Sequence, residues 1–561
     1  LFTYSAITDR DIYFAISEWL GERWQNRPEN RGTMVEMNMK RQVLLALFGA
    51  VMLSATSVQA EEPRKGGTLN VVLTADIRSL DASRTDAITE TVLNHIYEPL
   101  VSFKNDMTIG PALAQSWNVS EDGRRYSFRI RPGAVFHNGD KVVASDVKWF
   151  WDRRMATAGT ETPWLCLGNF NGTRGLKVVS VEATDESTVI YTIDAPNTQF
   201  LIRIADPVCN TWVASPKNVG ADGKWIDGSA IGSGPFRLKE WKKEQYISLA
   251  RFADYVPLKE KRDGYTGDRS TYVDEARFVV IPDKTSAETA LFAGQVDVVS
   301  TIQASRMEDL KSKGAAIQAA PGLSLSAILI QTNDPLLSDV RIRRAMAHAM
   351  DLKQITQVKT AGMTEYNPSG VPQASALFDK SFQDWPAYDP EAARKLLKEA
   401  GYKGQVIEIQ ANQRYVGMYE NAVLAQAMLA AVGMNVEIET LDWGAQLDNF
   451  LSGKFQMQAF GYGSRPDPTV IYGMFTGSKK AAANYQWDDP KAQELFLKAI
   501  ATVDLDQRKA IFKQMHALMQ EQVPTIGLYY NPVIEAVSPK VANYESWALD
   551  KPRAWGVWKR Q

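Results

Sequence analysis

ENAVLAQAMLAAVGMNVEIET, residues 420–440, is read here first. Residues Glu420–Val432 carry the composition of a helix, and Gly433 supplies the residue best suited to stop one. From Asn435 to Thr440 the chain alternates apolar and polar, the period of a half-exposed strand. A helix feeding a strand through one glycine is the unit of α/β architecture. The neighbouring sequence extends it. Upstream, Asp389-Pro390-Glu391 gives an N-cap with proline at the first helical position, and Gly401 stops that helix after Ala400. Downstream, Leu441-Asp442-Trp443-Gly444 follows the strand, and a last helix is predicted over about Asp506–Gln520. These units predict one α/β lobe around residues 326–524.

The rest of the chain is consistent with that class. Thr68–Leu73 reads as a buried strand. Tyr126–Ile130 alternates between the turn Glu121-Asp122-Gly123 and the break Arg131-Pro132-Gly133. Ser145 is expected to cap a helix whose Val147, Phe150 and Trp151 share a face. No repeat period or low-complexity tract interrupts the pattern. The 561 residues are too many for one ordinary core, so two or three domains are expected. Apolar residues at 45% and charged residues at 23% exclude wholesale disorder. A net charge of −2 gives no concentrated basic field, so no nucleic-acid partner is expected.

The N-terminal region carries an export pattern. Lys40-Arg41 precedes the apolar run Val43–Leu53, and small residues close at Ala60 before Glu61-Glu62-Pro63. The run is about half of what a membrane-spanning helix needs. Residues 34–60 therefore read as a signal peptide cleaved after Ala60, with Met34, Met37 or Met39 as its start. Residues 1–33 read as upstream sequence joined through a wrongly chosen start, or as a short extension. An oxidising compartment favours pairing of Cys166 with Cys209, the only cysteines; two buried thiols are the alternative.

Catalytic signatures are missing. Gly232-Ser233-Gly234 and Gly463-Ser464-Arg465 both fail the nucleophile-elbow spacing. His95, His137, His348 and His516 form no His-Glu-x-x-His pair, and no Walker loop is present. An exported hydrolase is the rival class; the expectation is a protein that is not an enzyme and has no cofactor.

Several stretches in order resemble the family 5 extracellular solute-binding proteins, the dipeptide-, oligopeptide-, nickel- and opine-binding class of ABC importers. They are Gly66–Val71, Asn94–Leu100, Pro111–Trp117 through Arg131, Phe136–Gly139, Ala144–Val147, Gly232–Phe236, Ala293–Asp297 and Val340–Ala345. The resemblance spans residues 65–560. It implies an α/β periplasmic binding-protein clamshell, class II-like and of cluster C, with an extra domain. Lobe I would comprise 61–104, 230–325 and 525–561, the extra domain 105–229 and lobe III 326–524. Two strands near 325 and 524 would form the hinge. It further implies a monomer in the periplasm of a Gram-negative bacterium, capturing a peptide or an anionic solute (an opine, sugar phosphate or modified amino acid) and delivering it to inner-membrane permeases with separate ATPases. A metal- or haem-binding member of the family, recognisable by histidine coordination, is the alternative within it. A sensor-loading or chaperone role is a further one.

Ligand residues follow from the same resemblance. Peptide binders place an aspartate four residues before the last proline of the segment matching Phe460–Pro468, to hold the peptide ammonium. Here that position is Ser464, followed by Arg465. A serine cannot neutralise an ammonium, whereas guanidinium suits a carboxylate or phosphate. Arg414, in Gln413-Arg414-Tyr415, matches an arginine that grips peptide carboxylates. Trp443 and Tyr462 border the pocket in relatives, and Trp164 is a candidate from the extra domain. Asp467 or Asp442 would be the acid if the ligand were a peptide. Against these readings, Arg465 could pair with Asp467, Arg414 could form a structural ion pair, Asp467 could form a turn, and the aromatics could be core.

Overall fold

Two strands of unusual length, Ala316–Ile330 and Thr525–Val537, run antiparallel through the centre of a ten-stranded sheet. They take in most of the apolar runs Leu323–Gln331 and Val523–Tyr530, where buried strands were expected, and extend beyond them. The computed structural model describes residues 62–84, 86–160, 163–209, 211–415 and 417–560. The export signal at 34–60 and the segment 1–33 lie outside the described residues.

In chain order the main strands are β1 (Thr68–Leu73), β2 (Ala114–Val119), β3 (Arg125–Ile130), β4 (Val178–Ala183), β5 (Thr188–Ile193), β6 (Phe236–Lys242) and β7 (Tyr246–Arg251). They continue as β8 (Glu275–Val280), β9 (Val298–Val299), β10 (Ala316–Ile330), β11 (Val406–Ala411), β12 (Asn435–Thr440), β13 (Met457–Tyr462) and β14 (Thr525–Val537). The large sheet has the order β12-β11-β13-β10-β14-β9-β1-β8-β7-β6. β11 lies parallel to β12 and β13 on one side, and β1 parallel to β8 and β9 on the other. Two parallel α/β units are thus welded by the antiparallel pair β10–β14. The insertion between β1 and β6 makes its own antiparallel sheet, β2-β3-β5-β4.

The weld is broken at one place. Pairing of β10 with β14 shifts register between Ala320 and Ser324 and again between Ser326 and Ala327. Pro321 supplies no ladder N–H there. A Cβ on Gly322 would lie 1.9 Å from the Asn531 carbonyl oxygen, so only glycine allows the two backbones to approach. The ladder between the two long strands is therefore irregular over residues 320–327.

Local signals translate well into elements. Asp389 accepts from the N–H groups of Glu391 and Ala392 and starts the helix Pro390–Glu399. Asp442 accepts from Ala445 N–H at the head of the helix Trp443–Ser452, and Asp504 starts Leu505–Gln522. The helix before Gly433 runs Met418–Ala431, two residues earlier than expected, because Gly417 and Glu420 cap it. One expectation fails. Ser145 lies inside the helix Ala144–Met155, whose start is capped when Asp146 accepts from Val143 N–H; Val147, Phe150 and Trp151 are buried as their spacing demands.

Cys166 and Cys209 form a disulfide with Cα atoms 5.2 Å apart. It closes the core of the inserted domain, where Phe128, Tyr191 and Phe200 pack.

Candidate ligand-binding site

The segment that departs from the peptide-binder pattern leaves the sheet at the end of β13. Arg465 N–H donates to the Leu323 carbonyl at 3.3 Å, and the Ser464 and Ser324 hydroxyls lie 3.2 Å apart. Both contacts pin the Gly463–Pro466 turn beside the irregular part of β10. The turn ends at Asp467, which caps the helix Pro468–Phe475 by accepting from Thr469 N–H at 2.9 Å.

Asp467 is spoken for. Its two oxygens accept from Arg508 Nη2 at 2.8 and 3.0 Å, and both side chains are almost wholly buried. Burial would raise its carboxyl, but the Arg508 guanidinium and the Thr469 bonds hold it below the usual range. Asp467 is thereby corrected from a candidate ligand group to a buried structural one, and its ion pair is with Arg508 rather than with Arg465, the alternative partner considered from sequence. Asp442, the other acid considered for an ammonium, is an exposed helix cap.

Arg465 is half-buried, and its Nη1 donates to the Ser464 carbonyl at 2.9 Å. Its charge also acts on Arg203, on the helix Gln199–Ala205 of the inserted segment. Thr198 anchors that helix by donating from its N–H and Oγ1 to the Ile500 carbonyl at 3.1 and 2.7 Å. Arg203 on this helix has its guanidinium pKa lowered by burial, with Arg174 and Arg465 pushing the same way against the carboxylates of Asp206 and Asp467. Asp206 is raised by burial and lowered by Val208 N–H, Arg203 and Arg465. Glu90, beyond it, is pushed by burial to about 7 despite Lys551 at 3.9 Å, with Asp206 and Asp86 adding to the rise. Among the described residues neither Arg203 nor Arg465 joins an ion pair.

Arg414 and Trp443 are linked through Tyr415. The Arg414 guanidinium sits 5.7 Å over the Tyr415 ring, which meets Trp443 edge-on at 4.8 Å. Trp443 tilts onto Phe460 of β13 at 5.8 Å and is half-buried. Arg414 is exposed and, among the described residues, joins no ion pair.

The remaining two aromatic candidates are corrected to core. Trp164 stacks on Phe170 at 5.3 Å and donates from Nε1 to the Cys209 carbonyl at 3.0 Å, sealing the disulfide. Tyr462 is 2% exposed, packed between Phe460 and Phe475, with its hydroxyl 3.5 Å from Gln486 Oε1. A lone aromatic that folds inward gives the same sequence signal as one lining a pocket.

Arg203, Asp206 and Glu90 were missed by sequence reasoning. Arg203 lies in Gln199-Phe200-Leu201-Ile202-Arg203, where no local pattern distinguishes it, and its partner across the seam is 262 residues away. Histidine chemistry is also placed. His95 Nδ1 bonds the Thr91 carbonyl and Nε2 accepts from Ala554 N–H, while burial lowers it to about 3. His137, His348 and His516 each have a ring nitrogen on a backbone carbonyl. Among the described residues no group of histidine, cysteine and carboxylate side chains converges as metal ligands, and no helix is long and apolar enough to cross a membrane.

Known proteins agree with this architecture. The family model described as bacterial extracellular solute-binding proteins, family 5 Middle, matches residues 108–483. The chain is 27% identical to the dipeptide-binding protein of Escherichia coli K12, over 80% of this chain and 86% of that one. The structure of HbpA2 from Haemophilus parasuis superposes with a TM-score of 0.78 at 23% identity, covering 88% of this chain and all of that one. The binding protein AgaA of A. tumefaciens R10, solved with agropinic acid, superposes at 0.66 and 22% identity, covering 88% and 99%. The long central strands, the inserted sheet and this match together show that the chain belongs to the family 5 bacterial extracellular solute-binding proteins and has their two-lobed periplasmic binding-protein fold.

Proposed function

We propose that this protein captures an anionic solute between its lobes and delivers it to the permeases of an ABC importer. One observation carries the choice of ligand: the charges of Arg203 on the inserted segment and Arg465 on the turn after β13 repel each other, and among the described residues neither joins an ion pair. Burial disfavours the Arg203 charge and Arg465 adds to that, with Asp206 opposing both, so a further anion between the two arginines would relieve the repulsion. A carboxylate or phosphate fits both forks and supplies a reason for the lobes to stay closed. The relatives differ in cargo, one named for dipeptides and one solved with agropinic acid, so the family alone does not choose. Ser464 in place of an acid, and the commitment of Asp467 to Arg508, favour the anionic ligand.

The same reading takes β10 and β14 as the hinge, with lobe I, the inserted domain and lobe III divided near residues 104, 229, 325 and 524. Arg414 and Trp443 would meet the body of the ligand. The segment 34–60 would direct export, and the mature chain would act as a periplasmic monomer. A zwitterion with its ammonium toward Asp206 or Glu90 is the second reading, favoured by the acids that stand beside the two arginines.

Residues 61–561, stripped of carried-over solute by unfolding and refolding, should be titrated calorimetrically with opines, sugar phosphates and dipeptides. Arg465→Met and Arg203→Met should each weaken an anionic ligand by about ten- to a hundredfold, the loss of one charge-assisted bond. Ser464→Asp should weaken it too and admit cationic ligands. Tight dipeptide binding that neither arginine variant alters would refute the reading.

A further inference from the structure

A second concave site lies on the far side of the β1 loop, with a lining that shares no residue with the Arg203–Arg465 seam. It is a cavity of about 440 Å³ between the loop after β1, the end of the helix Ala144–Met155, the 223–228 loop and the β6–β7 turn. Five cations line it: Arg78, Arg84, Arg153, Lys224 and Lys243. Only two acids do, Asp81 and Asp227. The lining therefore carries a formal +3 (five minus two) on a chain whose net charge is −2. Asp81 is turned to its own backbone, accepting from Ser83 N–H and Oγ at 2.8 and 2.6 Å.

The cations are held in place by something other than carboxylates of the cavity. Arg153 Nη1 donates to the Gly223 carbonyl at 2.8 Å, which fixes its guanidinium to the wall. Lys243 Nζ sits 5.3 Å over the Trp241 ring, and Arg78 pairs outside the cavity with Asp86 at 2.7 Å. Among the described residues Arg153, Lys224 and Lys243 join no ion pair. Trp225 and Trp241 form two walls, their ring nitrogens tied to the Ser229 carbonyl and to Asp76. Charges spread over a convex face are each solvated separately. Here they converge on one hollow beside two anchored indoles, where an anion gains from all three at once.

We propose that this cavity binds a phosphate or sulfate monoester, its anion met by Arg153, Lys224 and Lys243 and its sugar-like or flat body lying against Trp225 and Trp241. Such an ester could be a free solute or the headgroup of a lipid; both present the same chemistry.

The test uses residues 61–561 with glucose 6-phosphate, glucose as its neutral counterpart, and vesicles containing phosphatidylglycerol. Because a sugar phosphate could also enter the Arg203–Arg465 seam, the titration is made in the Arg203→Met/Arg465→Met background, where the proposal expects saturable calorimetric binding of glucose 6-phosphate but not glucose, weakened at least tenfold when Lys224→Gln/Lys243→Gln is added. Vesicle binding that glucose 6-phosphate displaces assigns the headgroup as the source; ester binding without vesicle binding assigns the free solute. No ester binding in that background, or binding that the added glutamines leave unchanged, overturns the proposal.

Discussion

Replacing Arg508 with methionine would leave Asp467 buried and without its cation. The pair is bidentate, at 2.8 and 3.0 Å, and its side chains are 5% and 9% exposed, so water cannot replace the lost partner. Breaking one side of such a pair costs about 3–5 kcal/mol. With an unfolding entropy of about 2.1 cal/mol/K per residue, that is a fall in Tm of about 3–5 °C if the whole exported chain unfolds together, and about 7–12 °C if a lobe of about 200 residues unfolds alone. Calorimetry at pH 7 reads this directly. The double variant Asp467→Asn/Arg508→Met should recover much of the loss, because no unpaired charge remains. The pH course has a defined sign: a carboxyl held below its ordinary value contributes stability that is complete above the unfolded pKa and is lost as pH falls through the folded one. In Arg508→Met burial is no longer opposed by the guanidinium and raises the Asp467 carboxyl, so the deficit should be largest at pH 8 and shrink steadily as pH falls toward the unfolded carboxyl value. A fall under about 1 °C, or a double variant as unstable as the single one, would show that the pair is not what holds the Gly463–Pro466 turn.

Three further outcomes follow from the same contacts. Cys166→Ala/Cys209→Ala releases a loop of 43 residues, worth about 4 kcal/mol in the chain-entropy model, and hydrogen exchange should rise across 114–209 before it rises elsewhere. Glu90→Gln should raise Tm at pH 8 and leave it nearly unchanged at pH 4.5, since a carboxyl raised to about 7 destabilises the fold only as pH climbs from its unfolded value through the folded one; equal shifts at both pH values would contradict this. Gly322→Ala sets a methyl 1.9 Å from the Asn531 carbonyl oxygen, so the hinge strands must part locally, at a cost of about 1–3 kcal/mol, and scattering should detect a changed distribution of open and closed forms.

How far the sequence reached depends on the range of each interaction. Caps, stops and alternation act within a few residues, and they placed Thr68–Leu73, Pro390–Glu399 and Asn435–Thr440 to within a residue. They went astray at Ser145, where the Asp146 carboxylate reaches the backbone first. The order of motifs along the chain carried the family and hence the two-lobed fold. The replacement of an acid by Ser464-Arg465 was visible as a change of charge at a known place.

Everything that needed two distant segments was decided by the tertiary structure. A tryptophan or tyrosine has the same sequence signature in a core as in a pocket, so only packing could send Trp164 and Tyr462 inward. Asp467 has an adjacent arginine in sequence, yet it pairs with Arg508, 41 residues on, because the helix Leu505–Gln522 brings that guanidinium into a dry space and the turn carries Arg465 away from it. The charge of Arg203 reaches that of Arg465, 262 residues on, because the chain returns there, as the Thr198–Ile500 bonds show. Local physics fixes the elements; burial, which depends on the whole chain at once, assigns the charges their partners.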